Sequence, residues 1–437
     1  MSRLIGNEIH NLAQKLWPIN RSITGEGVRE TLKVISSIIP NLKTYSVPSH
    51  TKVFDWVVPK EWRVKKAYIV TPKGKKICDF FENNLHLIGY SISFEGSVSL
   101  DKLKQHIYTL PEQPNAIPYI TSYYKERWGF CMTQQQFNLL DQGTYKVVID
   151  TSLFDGELNY GEILIKGKSE KEILLSSYVC HPSMANNELS GICVLTFLAK
   201  WLQKVKNLEY SYRIIFIPET IGSITYLSLN FEYMKDKTIA GFNISCLGDD
   251  RTYSYLPSRN GNTISDIVAK HVLKWIFPEF VKYTWLDRGG DERQFCAPGI
   301  DLPIASIHRT KYGQYPEYHT SLDDLKNVVT PKGLDGGYWA LKLAIEAIES
   351  NKKYKVLYLC EPHMGKRDLY PTLSTKKYNK QVRLMMDLIS FCDGNNSLLE
   401  IADKLDVPIW DLYKIVEKLI NHNLISSNDE IETQKTT

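Results

Sequence analysis

EILLSSYVCHPSMANNELSG, residues 172–191, decides how this chain is read. Its first nine residues, 172–180, form an apolar run of strand length. A polar segment follows from His181 to Ser190, and residues 189–205 then take up helical periodicity. The same order recurs further along. Residues 212–217 (YRIIFI) make a second apolar strand and 221–234 a helix; 239–246 and 303–307 read as further strands, and 264–276 and 334–348 as helices. Apolar strands alternating with helices predict an α/β fold with a mainly parallel sheet covered on both faces, because a strand buried on both faces has no polar side to show.

The 437 residues exceed one small module and suggest two or three domains. Hydrophobic residues at 43% and charged residues at 23% exclude a disordered chain, a collagen and a coiled-coil rod. A net charge of +4 over this length gives no reason to expect nucleic acid or an acidic membrane as a partner. No apolar run approaches the roughly 18–20 residues that span a bilayer. Glu8 and His10 stand where a secretory leader would have its apolar run, so a cytoplasmic protein is expected. The eight cysteines are scattered, without a Cys-x-x-Cys pair, and read as buried small hydrophobes rather than a disulfide or zinc-knuckle framework.

Working outward, residues 3–17 place Leu4, Ile5, Ile9, Leu12 and Leu16 on one helical stripe, and 27–39 also read as helical. Residues 56–145 differ: short β-branched and aromatic runs such as 66–71 and 90–94 alternate with turn clusters, which predicts an inserted β-rich domain. Beyond 353 the pattern changes again. Residues 380–393 and 411–420 are amphipathic, and Ser397-Leu398-Leu399-Glu400 is a capping box opening a helix to Leu405. With the turn at Asp406-Val407-Pro408, these helices predict a winged helix, followed by a frayed polar tail after Asn428. The expected organisation is a core of residues 1–55 and 146–352, an insert of 56–145, and a winged-helix domain of 353–430.

In an open α/β sheet, ligands bind beyond the carboxyl ends of the strands. The polar residues at those ends are His181 to Gly191 after the first strand, Pro218-Glu219-Thr220 after the second, and Asp249-Asp250 after the third. Tyr318-His319-Thr320-Ser321-Leu322-Asp323 precedes the closing helix. Histidine and carboxylate are the ligands zinc prefers, and a catalytic zinc needs about three from the protein. A nearby glutamate can take a proton from water and return it to a leaving amine.

The order His181, Asn-Asn-Glu-Leu-Ser-Gly, Pro-Glu219-Thr, Asp249, Tyr-His319-Thr-x-x-Asp resembles the zinc aminopeptidases of the M28 type. Gly290-Asp291-Glu292-Arg293-Gln294-Phe295, with Gly299-Ile300-Asp301-Leu302-Pro303 after it, is similar to the family's pre-terminal stretch. His-Pro-Ser-x-Ala-Asn and Pro-Glu-Thr-Ile-Gly-Ser resemble a bacterial zinc-peptidase-like branch with an inserted β domain and a C-terminal winged helix, whose genes often accompany those for surface polysaccharides. The resemblance implies a three-layer zinc-exopeptidase-like core with a mixed, mainly parallel sheet. It implies zinc on His181 and His319, with Glu219 as general base toward a zinc-activated water. The substrate implied is a small-molecule or peptide-like amide, aminoacyl or N-acyl, with a link to surface sugars.

The chain departs from the M28 pattern at three places. Asn187 stands at the bridging aspartate, Thr220 replaces the second glutamate of a Glu-Glu pair, and Ser245 or Cys246 falls at a third carboxylate, with Asp249 and Asp250 a few residues on. An amide oxygen is a neutral, weaker donor than a carboxylate. One zinc per chain is therefore expected, on His181, His319 and an oxygen from Asn187 or Asp249. Asn187 fits a helix cap as well as a metal contact. Asp291, Arg293, Arg309 and Tyr312 are candidates for the substrate pocket, and Asp323 for orienting His319 or capping a helix.

Two other classes compete with the enzyme. Asn187 and Thr220 also suit a non-catalytic scaffold that has lost its metal. A regulator with a degenerate enzyme domain would need a basic winged helix. Residues 379–427 instead carry five lysines and arginines against seven acidic residues, and 409–420 alternates Asp411, Lys414, Glu417 and Lys418. The winged helix is expected to contact protein, not nucleic acid. A homo-oligomer is left open.

Overall fold

The computed structural model describes residues 3–369 and 376–427. It divides into two compact units: Met1–Asp266 with Glu279–Trp339, and Ile267–Pro278 with Ala340–Thr437.

The first unit is built on an eight-stranded mixed sheet. Its strands are β1 (Lys43–Pro48), β2 (Glu157–Ile165), β3 (Glu172–Tyr178), β4 (Ser211–Ile217), β5 (Thr238–Asn243), β6 (Ser254–Leu256), β7 (Val281–Lys282) and β8 (Ile304–His308). Their spatial order is β1-β2-β4-β3-β5-β8-β6-β7. The central β4, β3, β5 and β8 run parallel, while β1–β2, β2–β4 and β6–β8 are antiparallel. Every residue of β3 and β4 is buried, including Glu172 and Arg213, which pair with each other at 2.6 Å across the two strands.

The helices are α1 (Arg3–Leu16), α2 (Glu26–Ser36), α3 (Ser190–Leu202), α4 (Ile221–Lys237), α5 (Ile264–Ile276) and α6 (Pro331–Ser350). α3 is buried on all sides from Ser190 to Ala199, and α1 packs against it. Gly191 lets α3 lie directly on the sheet. A Cβ there would stand 2.4 Å from the Ile244 carbonyl oxygen and 2.8 Å from Ser177 Oγ. The Ser-Gly of the quoted stretch is therefore a packing requirement.

Lys76–Ile77, Glu61–Val70, Thr144–Phe154 and Phe94–Ser99 form a separate antiparallel sheet of four strands within the same unit. Residues 90–94, expected as a strand, are not one until Phe94. Tyr90 has φ +63°. Its ring stacks on Trp62 at 5.6 Å and its hydroxyl bonds Thr24 Oγ1 at 2.6 Å, so packing bends the chain here. The following loop is stitched to the core: Tyr119 N–H donates to the His319 carbonyl (2.9 Å), and Pro118 bridges to Thr320.

The second unit contains a three-stranded sheet, Asp393–Ser397, Lys353–Val356 and Ile425–Ser427, with helices Lys376–Phe391, Leu398–Leu405 and Ile409–Asn421. The capping box forms as expected. Ser397 Oγ accepts from Glu400 N–H, and Glu400 Oε2 accepts from Ser397 N–H at 2.7 Å. Ile409, Leu412, Val416 and Leu419 are buried, while Asp411, Lys414, Glu417 and Lys418 face outward with alternating sign. The tail after Asn428, expected to fray, lies outside the described residues. Seven of the eight cysteines are buried and none is in a disulfide. No described helix is long and apolar enough to cross a membrane.

Candidate active site

β3 ends at Tyr178, and the chain enters α3 through a π-helical turn, Ala185–Leu189. Leu189 N–H reaches back to the Met184 carbonyl at 3.2 Å. A π-turn inserts one residue into a helical ladder and is often found at functional sites. Here it turns three consecutive side chains in three directions. Asn186 Nδ2 donates to Asp249 (3.0 Å), Asn187 meets His319, and Glu188 turns back on His181.

Glu188 is fully buried and accepts four hydrogen bonds. Arg21 Nε donates to Oε1 (2.8 Å); Cys180 N–H (2.6 Å), His181 N–H and His181 Nδ1 (2.9 Å) donate to Oε2. His181 therefore carries its proton on Nδ1 and presents Nε2, 3.6 Å from Glu219 Oε2. Burial opposes the charged imidazole, but the hydrogen bond and charge of Glu188, with the charge of Glu219, outweigh it and raise its pKa.

His319 has a left-handed backbone, φ +56°. Its ring stacks on Tyr318 at 3.9 Å, meets Tyr119 edge-on at 5.2 Å, and lies 5.5 Å from the His181 ring. Burial, then the charge of His181, pushes its pKa down to about 3. His319 Nε2 lies 3.1 Å from Asn187 Oδ1, and Asn187 Nδ2 donates to Tyr178 Oη at 3.0 Å. Asn187 does not cap a helix with its side chain. Asp323 does the capping, accepting the N–H groups of Asn186 (2.7 Å) and Asn187 (3.0 Å); it makes no bond to the His319 ring.

Glu219 follows β4. Burial raises its pKa, and the charges of His181 and then Arg293 pull against that rise. The next residue is strained. Thr220 has φ +63° and ψ −78°, and Ile221 N–H closes on the Glu219 carbonyl at 2.8 Å, which makes a γ-turn. Three contacts hold it: its N–H donates to Asp291 Oδ1 (2.7 Å), its Oγ1 accepts from Arg293 (2.6 Å), and Ser223 Oγ donates to the same Asp291 oxygen (2.8 Å). Asp291 Oδ2 is buried without a partner among the described residues. Burial, then the charge of Glu219, raises the Asp291 pKa to about 8. A β-branched residue in this conformation costs roughly 1–3 kcal/mol. Thr220→Gly is therefore expected to stabilise the protein by about 1 kcal/mol in chemical denaturation, after loss of the Arg293 contact.

His181, Glu219 and His319 form the floor of one cavity of 510 Å³. Thr220 and Arg293 also line it, and its walls include Trp56, Val57, Tyr119, Tyr123, Tyr124 and Asp55. Strand-end reasoning missed this aromatic wall. Its one signal was the aromatic density of Tyr119-Ile120-Thr121-Ser122-Tyr123-Tyr124.

Asp249, Arg309, Tyr312 and Asp291 do not line the cavity, contrary to expectation. Asp249 is buried with both oxygens committed, accepting from Asn186 Nδ2, the N–H and Oγ1 of Thr310, and Arg251 N–H; it is a structural tie and offers no oxygen to a metal. Arg309 lies over the Tyr253 ring at 3.9 Å and donates to the Asp249 carbonyl. Tyr312 donates to Glu292. Cys180, His181 and Glu188 bring their potential ligand atoms within 4.8 Å of one another. The four donors already on Glu188 make this a hydrogen-bonded knot, and burial raises the Cys180 pKa well above the usual thiol value.

His181 and His319 line the cavity; Asn187 does not, but its Oδ1 lies 3.1 Å from His319 Nε2. Two imidazoles and an amide oxygen are ligand types zinc accepts, and His181 is steadied from behind by a carboxylate as metal-bound histidines are. Positions 187 and 220, occupied by Asn and Thr, leave no carboxylate there to bridge a second ion.

His308 is a further buried base. Its Nδ1 donates to the Ser245 carbonyl (2.9 Å), its Nε2 has no partner among the described residues, and burial lowers its pKa to about 4. The unfolded chain protonates first, near 6.5. His308 thus contributes stability that is complete above that pH and lost as pH falls toward 4, on the order of 3 kcal/mol. His308→Asn is expected to flatten that part of the stability–pH curve, read by denaturant titration across the interval.

The α/β core shares the fold of solved zinc aminopeptidases, with His181 and Glu219 beyond the ends of β3 and β4 and His319 in the segment between β8 and α6. A solved zinc aminopeptidase from Bacillus subtilis shares the fold, with a TM-score of 0.58 at 12% identity over 80% of this chain and 95% of its own. The chain belongs to the family described as domain of unknown function DUF4910, which it matches over residues 10–351; residues 352–427 match a winged helix-turn-helix family. A Clostridium acetobutylicum protein, provisionally named for polysaccharide biosynthesis with an aminopeptidase-like domain, is 46% identical over 401 residues, 91% of each chain. A crystal structure of a provisionally named peptidase from Clostridium acetobutylicum gives a TM-score of 0.91 at 43% identity, covering 98% of this chain and 97% of that one.

Proposed function

We propose that this chain is a metal-dependent amide hydrolase that works with one zinc and cleaves an aminoacyl or N-acyl amide carried on a surface-type sugar. The observation that carries the reading is the pair of ring positions on the cavity floor. Glu188 fixes His181 so that Nε2 faces Glu219 at 3.6 Å, with the His319 ring 5.5 Å away. His181, His319 and the Asn187 oxygen would hold the ion, which when bound would polarise the amide carbonyl and acidify water.

The chain's own groups do the rest. Glu219 takes a proton from water and passes it to the leaving amine, and burial favours this by raising its affinity for protons. Arg293, 4.0 Å from Glu219 Oε1, opposes that rise with its charge, after His181. The γ-turn at Thr220 fixes where Glu219 points. The sugar link rests on the name of the Clostridium acetobutylicum relative. The winged helix is read as a protein-contact module because its exposed helix face has no net positive charge.

Metal content tests the reading. Untagged protein, purified without chelator, is expected to carry about one zinc by plasma mass spectrometry, lost in His181→Ala and His319→Ala. Two per chain would overturn the single-zinc assignment, and none after incubation with zinc would overturn the hydrolase. One observation favours a metal-free scaffold as the second reading: His319 Nε2 and Asn187 Oδ1 already satisfy each other at 3.1 Å.

A further inference from the structure

We propose that Trp56 and Tyr124 form a platform at the cavity mouth that stacks against the pyranose ring of a sugar-bearing substrate. The inference rests on the hydrolase reading and deepens it by assigning the residues that would receive the sugar.

Both rings line the cavity and both stay open to solvent, Trp56 at 36% and Tyr124 at 81% exposure. They meet edge-to-face with centroids 6.1 Å apart, which offers a ligand two aromatic surfaces set at an angle. Neither comes from the core sheet. Trp56 sits on the short hairpin Lys52–Val53 and Trp56–Val57, and Tyr124 on the loop stitched to the His319 backbone. Exposed apolar surface gathered at a cavity is a mark of ligand-binding grooves.

The surrounding polar groups select the ligand. Asp55, also on the cavity wall, is exposed and has no hydrogen bond or ion pair with any described residue. A purely apolar side chain laid over Trp56 would desolvate that carboxylate without pairing it, at a cost. A cationic side chain would share the cavity with the Arg293 guanidinium, which lines it too. A pyranose meets both demands. One face carries only C–H groups, whose weakly positive hydrogens suit the negative face of an aromatic ring. Its rim carries hydroxyls that donate to Asp55 and pair with Thr121, another lining residue. A cavity of 510 Å³ has room for one sugar ring and an acyl amide over the glutamate.

The test uses the full chain as Glu219→Gln, so that binding is read without turnover. Methyl glycosides of glucose, galactose, mannose and their N-acetylamino forms are titrated by calorimetry, with leucinamide as the sugar-free control. At least one glycoside is expected to bind. Trp56→Ala and Tyr124→Ala should each weaken it roughly tenfold, Trp56→Phe should retain most of the affinity, and leucinamide binding should not change. Both side chains are exposed, and circular dichroism checks that each variant is folded. No binding of any glycoside, or binding indifferent to both alanine variants, overturns the platform. Glycoside binding that depends on Trp56 in a chain without amide hydrolase activity would overturn the proposed reaction and leave the platform standing. Hydrolysis of leucinamide without glycoside binding would do the reverse.

Discussion

Glu219→Gln is expected to reduce amide hydrolysis by roughly 10²–10⁴-fold while leaving the fold and the zinc content unchanged. The substitution keeps the side chain's shape and its place beside His181 Nε2 but removes its ability to accept a proton. Its pKa is raised chiefly by burial, so the wild-type rate should fall on the acid side at a pH above that of an ordinary glutamate. Steady-state kinetics on an aminoacyl amide read both effects. A variant with full kcat would remove Glu219 from the reaction, and one that also lost zinc would make it a ligand rather than a base.

Glu188→Ala is expected to be the most damaging single change to stability, at about 3–5 kcal/mol in chemical denaturation. The carboxylate is inaccessible to water, and its removal strands four donors at once: Arg21 Nε, two backbone N–H groups and His181 Nδ1. The Arg21 charge has few other outlets, since its NH1 and Nε reach only the Leu16 and His181 carbonyls. The double replacement Arg21→Met with Glu188→Leu should cost less than the sum of the single changes, because it leaves no unpaired charge. Zinc should be lost along with Glu188, as His181 is then free to rotate.

The central sheet was readable because its strands are mostly apolar. Residues 172–180 and 212–217 carry few polar side chains, Glu172, Ser176, Ser177 and Arg213, so burial on both sides was the simplest reading of their composition. The edge strands were not readable: Lys43–Pro48 is exposed at five of its six positions, and Val281–Lys282 at both. His181, Glu219 and His319 could be picked out together because the ends of parallel strands and the loops beside them are where an open sheet leaves a crevice, and all three line one cavity. Asp249 was chosen by the same rule and proved otherwise. What commits it comes from Thr310, 61 residues away, and no local pattern announces such a bond. Arg309 and Tyr312 were misjudged for the same reason. The aromatic wall escaped because exposed rings on loops follow neither helical nor strand periodicity.

Asp323 joins two segments that the chain keeps far apart. It lies four residues beyond His319, and its carboxylate holds the backbone of the turn carrying Asn187 and Glu188, 137 residues upstream at Asn186. The loop that bears one histidine therefore cannot lift without uncapping the turn that steadies the other. The two segments are expected to open together, read as one protection class in native-state hydrogen exchange. The 5.5 Å spacing of the His181 and His319 rings is thereby tied to one buried carboxylate.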